Sequence, residues 1–273
     1  MPELPEVETV VSLLKTLVVH EVIESVEIYW NNIIGEPNVT TFRNNIEQQV
    51  ITDVTRRGKY IIFALSNGHL VSHLRMEGKY YVYDEKVEKD KHTHVIFNFK
   101  SGKEMHYHDT RKFGKMYLYP KNEPLAILSK LGYEPWDQDL SADALLDLAK
   151  RRSISIKAFL LDQSVIAGIG NIYVNEILFT TKIHPAQPVN TLSKKQFDAI
   201  IKATASILSA AIESGGTTIR SYTSSLGVTG LFQQQLNVHN RQNEACNVCG
   251  SDIEKIVVAQ RGTYLCPICQ SIQ

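Results

Sequence analysis

The spacing of apolar residues predicts a helix at the start of the chain. Between Glu3 and Val18, valine and leucine recur at the i, i+3 and i+4 intervals of one helix face. Pro5 falls in the first turn of this segment, where the backbone N–H has no partner within a helix, so the ring is tolerated there. We therefore expect an amphipathic helix over residues 3–18.

After this helix the pattern changes to short β-rich segments. Residues 59–76 are rich in β-branched and aromatic residues on both sides of Asn67-Gly68, a dipeptide typical of hairpin turns. Residues 94–109 repeat this design, and residues 115–119 form a further candidate strand. We expect the region between the first helix and about residue 120 to consist of strands packed as an antiparallel sandwich or barrel.

The second half of the chain has helical periodicity. Residues 131–140 contain glycine, proline and acidic residues without periodicity, which is typical of a linker. Ser141 is a candidate N-cap for the helix that follows, and residues 155–179 read as a helix, a glycine turn and a second helix. A longer helix is predicted over 193–214, and the polar residues 217–240 are predicted to form a long loop.

Composition and charge add few constraints. The chain has 273 residues, with 29 basic and 29 acidic side chains, so the net charge gives no support for a nucleic-acid partner. No export signal and no apolar run of membrane-spanning length are visible, so we expect a cytoplasmic protein without membrane contact. Basic residues are nevertheless clustered, either as solvated surface or as anion-binding sites: Arg56, Arg57 and Lys59; Arg111 and Lys112; Lys150, Arg151 and Arg152 with Lys157.

The cysteines predict a metal site near the end of the chain. All four lie in two Cys-x2-Cys pairs, Cys246 with Cys249 and Cys266 with Cys269, separated by sixteen residues. This spacing is typical of tetrahedral zinc in a reducing compartment, rather than of disulfides. Zinc held by four thiolates has no open position, so the expected cofactor is one structural zinc ion.

The N-terminus carries a candidate nucleophile. Methionine is normally removed when a small residue follows, so Pro2 would become a terminal secondary amine. An α-amino group has a pKa of about 8, so at neutral pH it is far more often unprotonated than a lysine and can attack an aldehyde-like carbon to form an iminium. Glu3 and Glu6 lie on the same helix face and are candidates for general acid–base work. An ordinary helix start, with acids matched to the helix dipole, explains the same residues.

Two further patterns have both a structural and a functional explanation. In residues 166–173, glycines precede Asn171, which either caps a helix or helps to bind an anion together with Lys157 and Arg152. Residues 91–94 and 106–109 each place two histidines on one strand face. If these strands pair, the histidines form either a polar sheet face or a second metal site.

Taken together, these stretches resemble the formamidopyrimidine-DNA glycosylase family over essentially the whole chain. The matching segments, in order, are MPELPEVET, GKY at Lys59, SHLRMEGKY, HDTRKFG, SIKAFLLDQSVIAGIGNIYVNEILF, GGTTIR and RGTYLCPICQ. The resemblance implies an α+β multidomain protein. Its expected parts are an N-terminal helix with a β-sandwich in 1–130, a linker in 131–140, a helix-two-turn-helix domain with a lesion-capping loop in 141–240, and a zinc finger in 241–273.

The resemblance also implies a bifunctional enzyme. Pro2 would attack C1′ of a flipped nucleoside and displace the damaged base, while Glu3 protonates the sugar oxygen. Lys59 would assist proton transfer and contact phosphate, and Arg261 would assist the second step of a β,δ-elimination that cuts the strand. The implied partner is double-stranded DNA that contains oxidised bases or abasic sites, bound by a monomeric enzyme.

Further residues match family positions at the DNA. Met76, Arg111 and Phe113 match the residues that fill the space left by the flipped base. Backbone contacts are expected from His92, Arg111, Arg152, Lys157 and Asn171, and the resemblance makes the histidine pairs DNA-facing residues without a second metal. The loop near residues 217–227 would close over the extruded base.

Substrate preference rests on a single position. The sibling endonuclease VIII group usually begins Pro-Glu-Gly-Pro and prefers oxidised pyrimidines, whereas Leu4 here favours the purine branch, with 8-oxoguanine and formamidopyrimidines as substrates. The alternatives are a pyrimidine-preferring relative and a protein that binds lesions without cutting them. Tyr264, where relatives often have histidine, and the segment HNRQNEAC before the finger depart from the family pattern without touching a catalytic position.

Overall fold

The computed structural model describes residues 1–217 and 231–272. Within these ranges the chain divides into two compact units. The first contains residues 1–129 with 215–217, and the second contains residues 130–214 with 231–272. No helix in the described part of the chain is long and apolar enough to cross a membrane.

The first unit begins with the predicted helix, α1, which spans Leu4–Val18 with Glu3 as its N-cap residue. Pro5 lies in its first turn, as expected. The helix buries Val7, Val10 and Leu14, whose spacing places them on one face. This face packs into the core of the unit, so burial of apolar surface holds the N-terminus in place.

The strands of this unit form two sheets around one apolar core, which confirms the predicted sandwich. The four-stranded sheet has the order β1 (Ile23–Ile28), β7 (Thr93–Phe99), β8 (Glu104–His108) and β6 (Lys79–Tyr83). The five-stranded sheet has the order β2 (Ile34–Glu36), β9 (Lys115–Pro120), β5 (Gly68–His73), β4 (Tyr60–Leu65) and β3 (Ile51–Arg57). Neighbouring strands are antiparallel, except that β2 and β9 are parallel.

Both predicted hairpins are present, but the turn of the first is displaced by one residue. Leu65 pairs with Gly68, so the turn between β4 and β5 consists of Ser66 and Asn67, one residue earlier than predicted. The expectation of strands throughout this region is wrong for Val39–Ile46, which form helix α2. This helix buries only Phe42 and Ile46, four residues apart, and too few apolar positions therefore mark it in the sequence.

Four helices and a hairpin make up the second unit: α3 (Ala142–Ala149), α4 (Ile156–Leu161), α5 (Asn171–Thr180), α6 (Lys194–Glu213), β10 (Glu254–Val258) and β11 (Arg261–Leu265). The Ser141 hydroxyl accepts the Ala144 N–H at 3.2 Å, which confirms the predicted cap. Ser193 caps α6 in a capping box. Short 3-10 turns lie in both units at Asn31–Ile33, Ala126–Leu128, Val189–Thr191 and Phe232–Gln235.

Residues 131–140 are bound to the second unit by backbone hydrogen bonds. The Tyr133 N–H donates to the Val165 carbonyl at 3.0 Å, and the Ala167 N–H donates to the Tyr133 carbonyl at 2.8 Å. Leu140 is buried in the helical core. This segment therefore lacks regular structure while being fixed to the helices that follow it.

Candidate functional site

The first residues of the chain are largely buried. Pro2 is buried, Glu3 is 2 % exposed and Met1 is 40 % exposed. While Met1 is present the Pro2 nitrogen is part of a peptide bond, so it becomes an amine only when Met1 is removed. The amine then lies directly before the N-terminus of α1, where the helix dipole disfavours its cationic form.

Glu6 joins this N-terminus to the segment after α6. One carboxylate oxygen accepts the Glu3 N–H at 2.8 Å, and the other accepts the Thr217 N–H at 2.8 Å and its hydroxyl at 3.0 Å. Gly216 has a φ of +79°, and a Cβ there would lie 2.9 Å from the same carboxylate. Sequence reasoning placed Thr217 in the predicted capping loop but missed its contact with Glu6, because the two residues lie 211 positions apart.

Lys59 lies in the turn directly before β4, at one end of the five-stranded sheet, and is 5 % exposed. The neighbouring Tyr60 pairs with His73, a residue that sequence reasoning missed, and their rings are in edge contact at 4.5 Å. His73 Nδ1 accepts the Arg75 N–H at 2.9 Å. Burial, followed by the charges of Arg75 and Lys59, lowers the pKa of His73 to about 3, so this ring is neutral at physiological pH.

The three predicted void-filling residues lie on loops at that same sheet end. Met76 follows β5, while Arg111 and Phe113 precede β9, and the register places His73 opposite Lys115. Phe113 is 50 % exposed, with the Arg111 guanidinium 4.7 Å from its ring centroid. An apolar ring and a cation are thus presented to solvent together, as an inserted wedge requires.

Asp109 fixes the conformation of the loop that carries Arg111 and Phe113. Its buried carboxylate accepts the N–H groups of Arg111 at 2.9 Å, Phe113 at 2.9 Å and Gly114 at 2.8 Å. The signal in the sequence was the Asp-Thr-Arg order, because aspartate commonly binds the backbone two residues on. Sequence reasoning did not use it.

Both loops also pack against Tyr107 of β8. A Cβ at Gly78 would lie 2.1 Å from the Tyr107 hydroxyl, and a Cβ at Gly114 would lie 1.8 Å from it. The distance at Gly114 excludes a side chain there unless Tyr107 changes, and a Cβ at Gly78 would in addition lie 2.6 Å from the Leu74 carbonyl oxygen. The loops of Met76 and Phe113 therefore rest on one buried aromatic side chain.

The predicted pairing of the two histidine-bearing strands is present, since β7 and β8 are neighbours. His94 Nε2 lies 2.8 Å from the Asp109 carbonyl oxygen, His106 Nε2 lies 2.7 Å from Glu104, and His108 Nε2 lies 3.0 Å from Asp90. The half-buried His92 ring is 5.4 Å from that of His108. The rings of His94, His106 and His108 therefore interact with protein oxygens.

In the second unit, the predicted DNA-backbone residues have different environments. Arg152 is half-buried and donates to Asp162 at 3.0 Å. Asn171 is half-buried as the first residue of α5, whose N-cap is Gly170. Lys157 is fully buried, and its ammonium donates to protein acceptors. The predicted lesion-capping loop, apart from Thr217, lies outside the described residues.

The four cysteines form the predicted metal centre. Their sulfur atoms all lie within 4.8 Å of one another, with 4.0 Å between Cys246 and Cys269 and 3.4 Å between Cys249 and Cys266. Tetrahedral zinc with Zn–S bonds of about 2.3 Å requires similar separations. The donor set therefore fits one structural zinc ion. Arg261 is exposed on the hairpin between the two cysteine pairs.

Comparisons with known proteins agree with this arrangement along the chain. Residues 1–116 match the family model described as formamidopyrimidine-DNA glycosylase N-terminal domain, residues 131–223 match its H2TH domain, and residues 243–272 match the zinc finger found in FPG and IleRS. A formamidopyrimidine-DNA glycosylase from Cytobacillus firmus is 45 % identical over 99 % of this chain and 100 % of its own. One from Brevibacillus brevis is 46 % identical over 100 % of both chains.

Solved structures show the same similarity in three dimensions. The Lactococcus lactis Fpg in complex with abasic-site DNA is 37 % identical, with a TM-score of 0.92 over 98 % of this chain and 99 % of that one. A mutant of that protein with Fapy-dG containing DNA has a TM-score of 0.93 at 37 % identity, over 99 % and 100 %.

Three features together define a class of DNA glycosylase of base-excision repair: a β-sandwich unit that begins with a buried proline, a helix-two-turn-helix module and a four-cysteine finger. Within that class, the chain belongs to the formamidopyrimidine-DNA glycosylase family. The fold, the zinc finger and the family expected from the sequence are thereby confirmed.

Proposed function

We propose that the protein removes 8-oxoguanine and formamidopyrimidines from double-stranded DNA and then cleaves the strand at the abasic site. It would thus be both a glycosylase, which is a hydrolase, and an AP lyase. The observation that carries the proposal is the N-terminus, where Pro2 and Glu3 are buried and the amide that joins them is held by Glu6. The relatives bound to abasic-site and Fapy-dG DNA support this substrate class.

Pro2 performs the covalent chemistry in this proposal. Its amine attacks C1′, and the C1′–N bond breaks as the damaged base leaves. The amine then loses its proton, Glu3 protonates the sugar ring oxygen, and the C1′–O4′ bond breaks to leave an iminium. The resulting iminium acidifies the C2′ proton, so its removal expels the 3′ phosphate, and a second elimination expels the 5′ phosphate. Lys59 assists proton transfer, and Arg261 assists the second elimination.

Most of the remaining predicted residues bind DNA. Met76, Arg111 and Phe113 fill the space left by the extruded nucleoside, which offsets an unstacking cost of a few kcal/mol. His92 and Arg152 are the proposed backbone contacts, and such contacts carry no sequence information. Lys157 and Asn171, predicted in the same role, instead donate to the Gly262 carbonyl. The zinc ion holds the finger that carries Arg261. The protein works as a monomer in the cytoplasm, at the nucleoid.

Borohydride trapping tests this mechanism. Reduction of the iminium joins protein and DNA permanently, so a duplex with one 8-oxoguanine should yield a covalent adduct of one protein and one strand. Adding one residue before Pro2 should abolish the adduct, because the nitrogen is then an amide. The intact mass of the unmodified protein, measured in parallel, should lack Met1.

Trapping by the N-terminally extended protein would exclude Pro2 as the nucleophile. Lesion binding without an adduct, together with retained Met1, would instead identify a non-catalytic lesion-binding protein. Parallel cleavage of thymine glycol duplexes decides between the purine and pyrimidine branches. Because Leu4 is the feature that favours purines, faster cleavage of thymine glycol would contradict this part of the proposal.

A further inference from the structure

The hairpin that carries Arg261 has an unusual turn. Val258 pairs with Arg261, so the loop consists of Ala259 and Gln260 alone. Their φ angles are 53° and 58°, a conformation that favours glycine and asparagine. Arg261 follows immediately and is exposed, so its direction depends on how the backbone of the hairpin is held.

Two side chains from the helices hold this backbone at one atom. The Gly262 carbonyl oxygen accepts the Lys157 ammonium at 3.2 Å and the Asn171 side-chain amide at 3.1 Å. Lys157 lies in α4 and Asn171 is the first residue of α5. The residue next to Arg261 is therefore fixed from two helices at once.

Lys157 makes further contacts that fix the direction of its ammonium. It donates to the Thr263 hydroxyl at 2.8 Å and to the Asn175 side-chain oxygen at 3.1 Å, and both partners are 0 % exposed. Burying an ammonium is costly unless its protons are bound, and these acceptors, with Gly262, match its three N–H groups. These protein acceptors thus take the N–H groups that a phosphate would otherwise accept.

We infer that Lys157 and Asn171 are positioning residues that act through the Gly262 carbonyl to aim Arg261 at the phosphate expelled in the second elimination. The inference rests on the proposed function. In that step a base removes the C4′ proton, the electrons move through the conjugated iminium, and the C5′–O bond breaks with its pair going to the phosphate. The Arg261 guanidinium offsets the charge that develops on this leaving group.

The inference separates the two eliminations. Both need the iminium formed by Pro2, but only the second depends on the direction of Arg261. A displacement of about 1 Å in a charged group can lower a rate by up to about a hundredfold. Loss of the Lys157 contact should therefore shift the products from 3′-phosphate ends toward 3′ unsaturated aldehyde ends, which separate on a denaturing gel.

The experiment compares Lys157→Met, Arg261→Gln and the double variant on abasic-site duplex. Each single variant should lower the ratio of 3′-phosphate to aldehyde product about tenfold, and the double variant should lower it no further, because both changes act on one group. Lys150→Met is the matched control. Lys150 is exposed and paired with Asp147, and its loss should leave the ratio unchanged.

Salt dependence of binding distinguishes positioning from phosphate contact. A lysine on a phosphate contributes about 0.9 to the slope of log affinity against log salt, so Lys157→Met should leave that slope unchanged. Zinc content and thermal midpoint confirm that each variant is folded. If Lys157→Met loses zinc, Asn171→Ala takes its place, because Asn171 is half-buried and reaches the same carbonyl.

Folded, zinc-loaded variants with the wild-type product ratio would overturn the inference, as would a slope reduced by about 0.9. A wild-type protein that forms no borohydride adduct would overturn the proposed function itself. An adduct with unchanged product ratios would overturn only the positioning role.

Discussion

At the scale of single residues, the carboxylate of Glu6 has a geometry that favours holding the chain over transferring protons. It accepts three hydrogen bonds, one from Glu3 and two from Thr217, and the side chain is 5 % exposed. A general base needs a lone pair that reaches the substrate. The Glu3 N–H that Glu6 accepts belongs to the peptide bond next to Pro2, so Glu6 sets where the proposed nucleophile lies.

Replacement of Glu6 by glutamine tests this role. Glutamine puts an NH2 group where a carboxylate oxygen accepted a backbone N–H, so one buried donor loses its partner at a cost of about 1–3 kcal/mol. We expect Glu6→Gln to slow borohydride trapping about tenfold or more while the pH profile of kcat/KM keeps its shape. Thr9→Val, on the same helix, is the control. Loss of one limb of the profile would instead identify Glu6 as an acid or base.

At the scale of elements, the turn between β10 and β11 holds two non-glycine residues at positive φ. Each such residue costs about 1–2 kcal/mol relative to its ordinary conformation. The hairpin nevertheless keeps its register with Ala259 and Gln260 in the turn. The cysteine cluster holds the end away from the turn, and the contacts of the Gly262 carbonyl hold β11. The finger is therefore held by contacts outside the turn.

A better turn sequence should stabilise the finger. Ala259→Asn with Gln260→Gly supplies the dipeptide that this turn type prefers, so we expect about 1 kcal/mol of stabilisation. The measurement is the guanidinium concentration at which a zinc-sensitive dye detects release of the metal. Gly250→Ala, at a φ of +77° with open space around it, should lower that concentration. A release midpoint unchanged by the double substitution would show that the turn carries no strain.

Local patterns predicted the elements and missed most of what connects them. The hairpin at residues 59–76 and the Ser141 cap follow from short-range chemistry, and the structure contains both. The contact of Glu6 with Thr217 spans 211 positions and that of Lys157 with Gly262 spans 105. Such contacts depend on how whole elements pack, and no pattern of a few residues records them.

At the scale of the whole molecule, a net charge of zero conceals an uneven distribution. In the proposed function, four cations lie close to DNA phosphates: Lys59, Arg111, Arg152 and Arg261. The acidic residues that balance them in number include Glu6 and Asp109, which are buried and bound to backbone N–H groups. Neutrality overall is therefore compatible with tight electrostatic binding.

The affinity for a lesion-containing duplex should fall steeply as the salt concentration rises, although the net charge of the protein is zero. Four phosphate contacts give a slope of about −3 to −4 in log affinity against log salt. The measurement is a titration by fluorescence anisotropy at several salt concentrations. Arg111→Ala should make the slope less steep by about 0.9. Lys121→Ala, beyond the opposite end of β9, should not change it, and a flat wild-type response would argue against phosphate binding.

The hydroxyl of Tyr107 makes two separate loops dependent on each other in evolution. A methyl group at Gly78 or at Gly114 would lie 2.1 Å or 1.8 Å from that one oxygen. A mutation at Gly114 is therefore tolerated only after the tyrosine has changed, whereas one at Gly78 needs that change and also a shift of the Leu74 carbonyl, 2.6 Å from the new Cβ. The two loops that present Met76 and Phe113 are thus linked by epistasis, although they lie more than thirty positions apart in the sequence.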